Sequence, residues 1–401
     1  MGNVFDYLDW RGDISFDECA PNEVDSLILS WMSYLDLGHI VPASISAKGR
    51  TLISCVRKYI RVKKEQGAPL VSGLIMPPES IKLAVKTAKS PRFSCLRLVG
   101  HVNKIDEDEA KQFSATTYLL GDNACFVVFR GTDDTIVGWR ESLSMSFMSP
   151  IPAQVEALEY IESLASAYPE RKIYIGGHSK GGNLSVYAAV KCSDATKERI
   201  VRIYNLDGPG FDKEFIASED YLAVRERIQT IVPQSSIIGM LLEHEENYEV
   251  VQSNQTGLFQ HNGLSWEIMG GRFVHIDSVT EESKKIDVTI KKWLSEISPE
   301  ERKRILDAFY NTLTSTNCKT LTDINADKLK VIKAWGTLDD DSKRFIKKMV
   351  SLIVKKGKVK EPKVTDEVQE TAADEAQENA DNVITECEDN GTACAVESME
   401  D

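Results

Sequence analysis

Residues 171–186 read Arg-Lys-Ile-Tyr-Ile-Gly-Gly-His-Ser-Lys-Gly-Gly-Asn-Leu-Ser-Val, a β-branched run that drives into Gly177-His178-Ser179-Lys180-Gly181 and then into a helix-forming stretch. Glycines two before and two after a serine let the backbone turn sharply from strand to helix. The serine hydroxyl then stands proud and the next N–H faces a reacting carbonyl. The spacing alone is weak, because Gly and Ser are abundant residues. Its context is stronger: Ile173-Tyr174-Ile175 ahead, Leu184, Val186, Tyr187, Ala188 and Ala189 behind, and the extra glycines Gly176 and Gly182. Ser179 is therefore the candidate nucleophile, against the plainer alternative of a glycine-rich strand-to-helix turn.

With 401 residues, 42% of them hydrophobic, the chain has the composition of a soluble globular protein with a large core. Its net charge of −14 is concentrated at one end. Val364 to Asp401 holds thirteen Asp or Glu and no Lys or Arg, so the remainder carries a net −1 and has no nucleic-acid footprint. The eight cysteines show neither a C-x-x-C pair nor zinc spacing. Several sit in apolar runs, as Cys125 does, and read as buried free thiols in a reducing compartment. The first residues, Met-Gly-Asn-Val-Phe-Asp-Tyr, lack an apolar signal region. No apolar run reaches the roughly 18 residues of a membrane span. The expectation is a cytoplasmic protein without a transmembrane segment.

The periodicity divides the chain into four parts. Residues 1–92 are mainly helical, with patterns over 21–38, 49–66 and 78–89. Residues 93–282 alternate strands with helices: Cys95 to Val99, Phe113 to Leu120, Ala124 to Phe129, Ile173 onward, Arg199 to Leu206, Ile228 to Val232 and Tyr248 to Gln252. That alternation predicts an α/β fold with a mostly parallel sheet flanked by helices on both faces. Residues 283–356 return to helical spacing, and 357–401 form a Lys-Gly-Lys linker and an acidic, aromatic-free tail predicted to be disordered.

A serine nucleophile needs an imidazole base and an orienting carboxylate. On a doubly wound hydrolase sheet these follow in the order Ser, Asp or Glu, His. His261, in an apolar-flanked loop about nine residues past the last strand, is the candidate base, with a surface structural role as its alternative. His178 lies inside the turn and reads as a packing residue. Asp207 closes the strand after the serine's helix, where ligand-facing residues collect. It is the candidate acid, unless it only starts the Asp-Gly-Pro-Gly turn. For a developing oxyanion the donors would be the N–H of Lys180 and, from the glycine turn after Phe129, the N–H and hydroxyl of Thr132. A plain turn is the alternative there.

Phe129-Arg130-Gly131-Thr132, then Trp139, then Gly-His-Ser-x-Gly-Gly resembles the class 3 lipases of the α/β-hydrolase superfamily. The chain is most similar to an uncharacterised bacterial branch of that group, a domain of unknown function, through Gly-His-Ser-Lys-Gly-Gly-Asn-Leu, Asn-Leu-Asp-Gly-Pro-Gly-Phe and Ile-Val-Pro-Gln-Ser-Ser. The likeness runs from the N-terminal helices to about residue 280. It implies a lipase-like or esterase-like serine hydrolase with Ser179 as nucleophile, Thr132 and Lys180 at the oxyanion positions and His261 as base. Two positions depart from the class 3 pattern. Thr230, ahead of Ile231-Val232-Pro233, stands where that class places its acid, which moves the role to Asp207. Lys180 stands where lipases carry Leu or Gln, and its side chain would either meet an anionic or polar substrate group or point into solvent. Residues 135–153, rich in Ile, Val, Trp, Leu, Met and Phe, match the stretch that covers the site in class 3 lipases, with permanent packing as the alternative.

The functional expectation is cleavage of a small acyl ester or lipid through an acyl-enzyme, with no metal or organic cofactor. The alternatives are an acyltransferase or thioesterase using the same triad, and a non-catalytic binding or scaffold protein on the same fold.

Overall fold

The computed structural model describes residues 2–71, 76–244, 248–327, 335–336, 338–344 and 346–347. The predicted acidic tail, 357–401, and Phe345, Met349 and Leu352 of the last helical pattern lie outside the described residues.

Alternating apolar side chains build the sheet. In β4 (Ala124–Phe129), Cys125, Val127 and Phe129 enter one core cluster and Phe126 and Val128 the other, as the period of two requires. Nine strands form one sheet in the order β1 (Arg50–Thr51), β2 (Arg97–Asp106), β3 (Lys111–Leu120), β4, β5 (Lys172–His178), β6 (Ile200–Leu206), β7 (Ile228–Pro233), β8 (Glu249–Val251) and β11 (His275–Ile276). Strands β4 to β8 run parallel, and β1 to β4 and β11 pair antiparallel. A separate hairpin pairs β9 (Ile268–Met269) with β10 (Arg272–Phe273).

The parallel strands are joined by α6 (Ile136–Ser144) and α7 (Pro152–Ala167), by α8 (Lys180–Lys191) and α9 (Asp194–Arg199), and by α10 (Lys213–Ile216) and α11 (Glu219–Val224). Right-handed crossovers between strands that are neighbours in chain order fall on one face of the sheet. Ile161 and Leu164 of α7, Leu184 and Ala188 of α8, and Phe215 and Tyr221 accordingly share a core with Val127, Phe129, Ile173 and Ile175. The N-terminal helices α1 (Val4–Arg11), α2 (Glu23–Met32), α3 (Leu52–Glu65), α4 (Glu79–Lys89) and α5 (Pro91–Ser94) supply the other face. Leu27, Trp31, Val56 and Leu83 pack there with Phe126, Val128, Tyr174 and Tyr204. After the sheet in chain order come α12 (Glu281–Ser295), α13 (Pro299–Thr314), which packs on α6, and α14 (Leu321–Ala326). This is the α/β-hydrolase type of fold. Among the described residues no helix is long and apolar enough to cross a membrane.

The strands β3 to β8 and helices α3 and α4 follow the predicted ones closely, whereas α2 stops at Met32 short of the predicted 38, α1, β1 and β9 to β11 had no predicted counterpart, and β2 is longer than predicted. Strand β2 runs on to Asp106 and turns directly into β3, although residues 103–106 are mostly exposed and all but Ile105 are polar. Pairing with β3 maintains that segment, and a hydrophobic pattern could not reveal it. Helix α2 starts where Pro21-Asn22 predicts: Asn22 Oδ1 accepts from the N–H groups of Val24 and Asp25, and Asp25 returns a carboxylate oxygen to the Asn22 N–H.

That same Asp25 anchors the N-terminal layer. Its two oxygens take Arg92 Nε at 2.9 Å and Nη2 at 2.6 Å, both side chains are fully buried, and Tyr7 adds its hydroxyl at 2.8 Å. Arg92 also donates to the carbonyls of Ile14, Ser15, Cys19 and Ala20. Removing one partner of such a pair leaves a buried charge without compensation, so Arg92→Met is expected to cost about 3–5 kcal/mol. Urea unfolding measures this directly, and an unchanged midpoint would contradict the anchoring role.

Candidate active site

Strand β5 ends at His178 and α8 begins at Lys180, with Ser179 between them at φ 57°, ψ −130°. A non-glycine residue persists in that region only when its surroundings determine it, and such residues cluster at functional sites. The turn is sterically closed. A Cβ on Gly177 would overlap the Gly181 carbonyl group, and one on Gly181 would overlap the carbonyl oxygen of Phe129. The Ser179 N–H donates to Leu206 O at 2.9 Å, which ties the turn to β6.

Asp207 follows β6 directly, buried and at φ 52°. Its Oδ1 accepts from Ser236 Oγ at 2.5 Å and from the Gly239 N–H at 3.1 Å, and its Oδ2 lies 2.6 Å from His261 Nδ1. A carboxylate at Nδ1 holds the proton there and leaves the lone pair on Nε2. His261 closes a short 3₁₀ turn, Gly257–His261, with its side chain 26% exposed. Trp266 Nε1 steadies that loop by donating to Gln260 O at 2.8 Å. Thr230 lies buried within β7, where its hydroxyl accepts from Asn205 Nδ2 at 3.3 Å. Asp207 and His261 are thus brought together. No hydrogen bond joins Ser179 Oγ to the His261 ring, a contact that often tightens only with substrate bound.

Beyond β4 the chain turns through Arg130, Gly131 and Thr132. Arg130 Nη2 holds Asn103 Oδ1 and Asp133 Oδ2, at 3.0 and 2.8 Å. Thr132 Oγ1 lies 2.5 Å from Ser142 Oγ, and Ser142 donates its own proton to Gly138 O at 2.9 Å. The Thr132 hydroxyl must therefore donate to Ser142, which leaves Thr132 its backbone N–H alone as an oxyanion donor. Among the described residues neither that N–H nor the Lys180 N–H donates to another protein group.

The Lys180 side chain takes neither of the two directions expected from the sequence. It is 1% exposed and runs inward to Glu141 Oε2 at 2.7 Å, Gln112 O at 2.7 Å and Gln112 Oε1 at 2.8 Å. Burial pulls its pKa down and Glu141 opposes that. Glu141 also accepts the N–H groups of Gln112 and Ala153, so it fastens α6 to β3 and to the start of α7. In the stretch 135–153, Ile136 and Val137 pack against Tyr310, Leu313 and Cys318, and Ile151 joins the crossover core. Much of the apolar surface that suggested a cover is permanent packing. Lys180→Met would strand the Glu141 carboxylate and is expected to lower stability by about 3–5 kcal/mol. Adding Glu141→Gln removes the stranded charge and should recover more than half of that loss in thermal or urea unfolding. A Lys180→Met variant as stable as wild type would refute the assignment.

Four contributors escape sequence reasoning. Ser236, the last residue of the Ile-Val-Pro-Gln-Ser-Ser mark, and Gly239 hold Asp207, Tyr34 reaches the site from the N-terminal layer, and Glu141 had one available signal: it is the sole carboxylate in 135–153. Among the described residues one group could ligate a metal, Glu23, Glu249 and His275, and it lies on α2, β8 and β11 rather than at Ser179. Both His275 ring nitrogens face those carboxylates, at 3.0 and 3.1 Å.

Solved structures of similar shape include a fungal lipase–inhibitor complex, with 12% identity over 51% of this chain and 78% of that one and a TM-score of 0.33. Two others are the Rhizomucor miehei lipase propeptide complex, with 16% identity over 51% and 67% and a TM-score of 0.31, and the Lip2 lipase of Yarrowia lipolytica, with 12% identity over 55% and 94% and a TM-score of 0.30. No curated protein matches the sequence. A model of the Mbeg1-like family matches residues 87–311, more than half of the chain, from the end of α4 through the elbow and His261 into α13, and the chain belongs to the Mbeg1-like family, a lipase-like relative of the α/β-hydrolases.

Proposed function

We propose that the protein is a serine carboxylic-ester hydrolase that works through an acyl-enzyme. The observation that carries this reading is the 2.6 Å contact between Asp207 and His261 at the end of the sheet where Ser179 turns at positive φ. In the proposed reaction Ser179 Oγ attacks the ester carbonyl carbon and its proton passes to His261 Nε2. Asp207 keeps the other ring proton on Nδ1 and stabilises the imidazolium. The N–H groups of Thr132 and Lys180 receive the oxyanion. Collapse of the tetrahedral species breaks the bond to the alkoxy oxygen, which leaves as the alcohol with the proton from His261. Water then attacks the acyl carbon, losing a proton to His261, and the acid departs as Ser179 recovers its hydrogen.

The Lys180 ammonium is bound to Glu141. An anionic substrate group therefore gains nothing from it, and a neutral acyl ester or lipid is the substrate class this reading favours. A cytoplasmic setting is supported by the free thiols of Cys19, Cys55, Cys125, Cys192 and Cys318, and opposed by Cys95, which is disulfide-bonded.

Fluorophosphonate labelling and p-nitrophenyl ester turnover test the proposal. Ser179→Ala is expected to abolish labelling and to lower kcat by around 10⁶, the scale of losing a triad nucleophile. Asp207→Asn should lower kcat by roughly 10⁴, while Thr230→Ala leaves it within about two-fold. A wild-type chain that neither labels nor turns over would point to a binding or scaffold role, and labelling that persists in Ser179→Ala would move the nucleophile elsewhere.

A further inference from the structure

The buried His178 has a definite protonation state. Its Nε2 lies 2.7 Å from the backbone oxygen of His261, and a carbonyl only accepts, so Nε2 carries the proton. Nδ1 is then a lone pair, and it accepts from the Tyr34 hydroxyl at 3.2 Å. The Tyr34 hydroxyl is packed against the backbone of Gly131. A Cβ on Gly131 would overlap that hydroxyl and come within 3.2 Å of Ser179 Cβ, so the loop, the tyrosine and the elbow meet at one point. Trp31 and Tyr34 flank the His178 ring, at 5.3 and 6.3 Å between centroids.

We propose that Tyr34 and His178 are positioning residues of the site: a directional chain from the Tyr34 hydroxyl through His178 to the His261 carbonyl, with Tyr34 packed on Gly131, holds the oxyanion loop, the elbow and the base in register. The inference rests on the Ser179–Asp207–His261 reading. Chemistry supplies its second part. The His178 and His261 rings are 4.5 Å apart, and two imidazoles that close repel when both are charged. Burial, first, and the charge of His261, next, drive the His178 pKa well below its ordinary value. His178 therefore stays neutral while its neighbour takes the proton from Ser179. The tyrosine comes from the N-terminal layer, so a helical addition completes a site built on the sheet.

The tautomer can be read in the wild-type chain by long-range ¹H–¹⁵N NMR of the histidine side chains, where His178 is expected as neutral Nε2–H at pH 7. A protonated ring or the Nδ1–H form overturns the chain. Tyr34→Phe keeps the ring and removes the donor. It should lower kcat and the fluorophosphonate labelling rate about ten-fold, as the loss of one buried hydrogen bond predicts, with KM within about two-fold and the His178 tautomers mixed. His178→Gln retains an N–H toward His261, whereas His178→Leu does not. The glutamine variant should keep at least about ten times the activity of the leucine variant, a difference that packing alone would not produce. If the wild-type chain labels at Ser179 while Tyr34→Phe and His178→Leu label at the wild-type rate, the positioning role is refuted and the hydrolase reading stands. If the wild-type chain does not label, the hydrolase reading fails and takes this inference with it.

Discussion

A run of parallel strands that are neighbours in both chain order and space receives its right-handed crossovers on one face only. Here β4 to β8 are such a run, and α7, α8, α10 and α11 cover that face. The other face carries Phe126, Val128, Tyr174, Tyr204 and Leu206 and has no helix from within the sheet to cover it. Leaving five such side chains in water would forfeit on the order of 10 kcal/mol, about the whole stability of an ordinary domain. The helices of residues 1–92 are therefore required by the topology. The Asp25–Arg92 pair matters for the same reason, since it joins α2 to the residue that leads into β2 and fixes where the layer sits. Tyr34 leaves the end of α2 and arrives beside Gly131 and His178 as a consequence.

The buried Lys180–Glu141 pair does for α6 what Asp25–Arg92 does for α2. A charge this deep is favourable only with its partner in place. The elbow helix, β3 and α6 are consequently fixed to one another within hydrogen-bond distances, right next to the proposed nucleophile. A rigid α6 also sets Ser142, whose hydroxyl orients Thr132. Any opening of the stretch 135–153 during substrate entry must leave Glu141 where it is. Movement is then confined to the part beyond it, where Met148 is exposed and the chain passes Ser149 and Pro150 before α7.

The mostly parallel sheet and the elbow were legible because each rests on a local rule: period-two alternation, glycines that admit a tight approach, and an apolar helix behind them. The meeting of Asp207 and His261 was legible because strand ends and chain order restrict where such a pair can stand. What the sequence concealed was mostly direction. Lys180 does follow the turn at the start of α8, but its ammonium could not be aimed, since Gln112 and Glu141 lie 68 and 39 residues away. The Thr132 hydroxyl read as a donor to substrate, and its proton is committed to Ser142. His178 read as packing, and it does pack against Trp31, yet the polarity of its two ring nitrogens depends on Tyr34, 144 residues away, and on a backbone oxygen. Side-chain polarity inside a site is set by long-range neighbours, and a motif carries little of that information.

The two strand ends at the site divide a single task. Asn205 is level with Thr230 and Leu206 with Ile231, and the Asp207 N–H donates to Ile231 O. An acid after β6 therefore sits beside the end of β7 and faces the same loop that an acid from β7 would face. With β6 supplying the carboxylate, the chain after β7 is free to hold it. Within Ile231-Val232-Pro233-Gln234-Ser235-Ser236, Ser236 donates to Asp207 Oδ1, the Ser235 N–H donates to Gln260 Oε1 beside His261, and Gln234 exchanges hydrogen bonds with the backbone of Ser253. A carboxylate held by two donors on one oxygen can direct only the other toward an imidazole, which restricts where His261 can stand. The threonine at 230 is thus compatible with the proposed acid–base pair, because the chain after its strand braces both members of that pair.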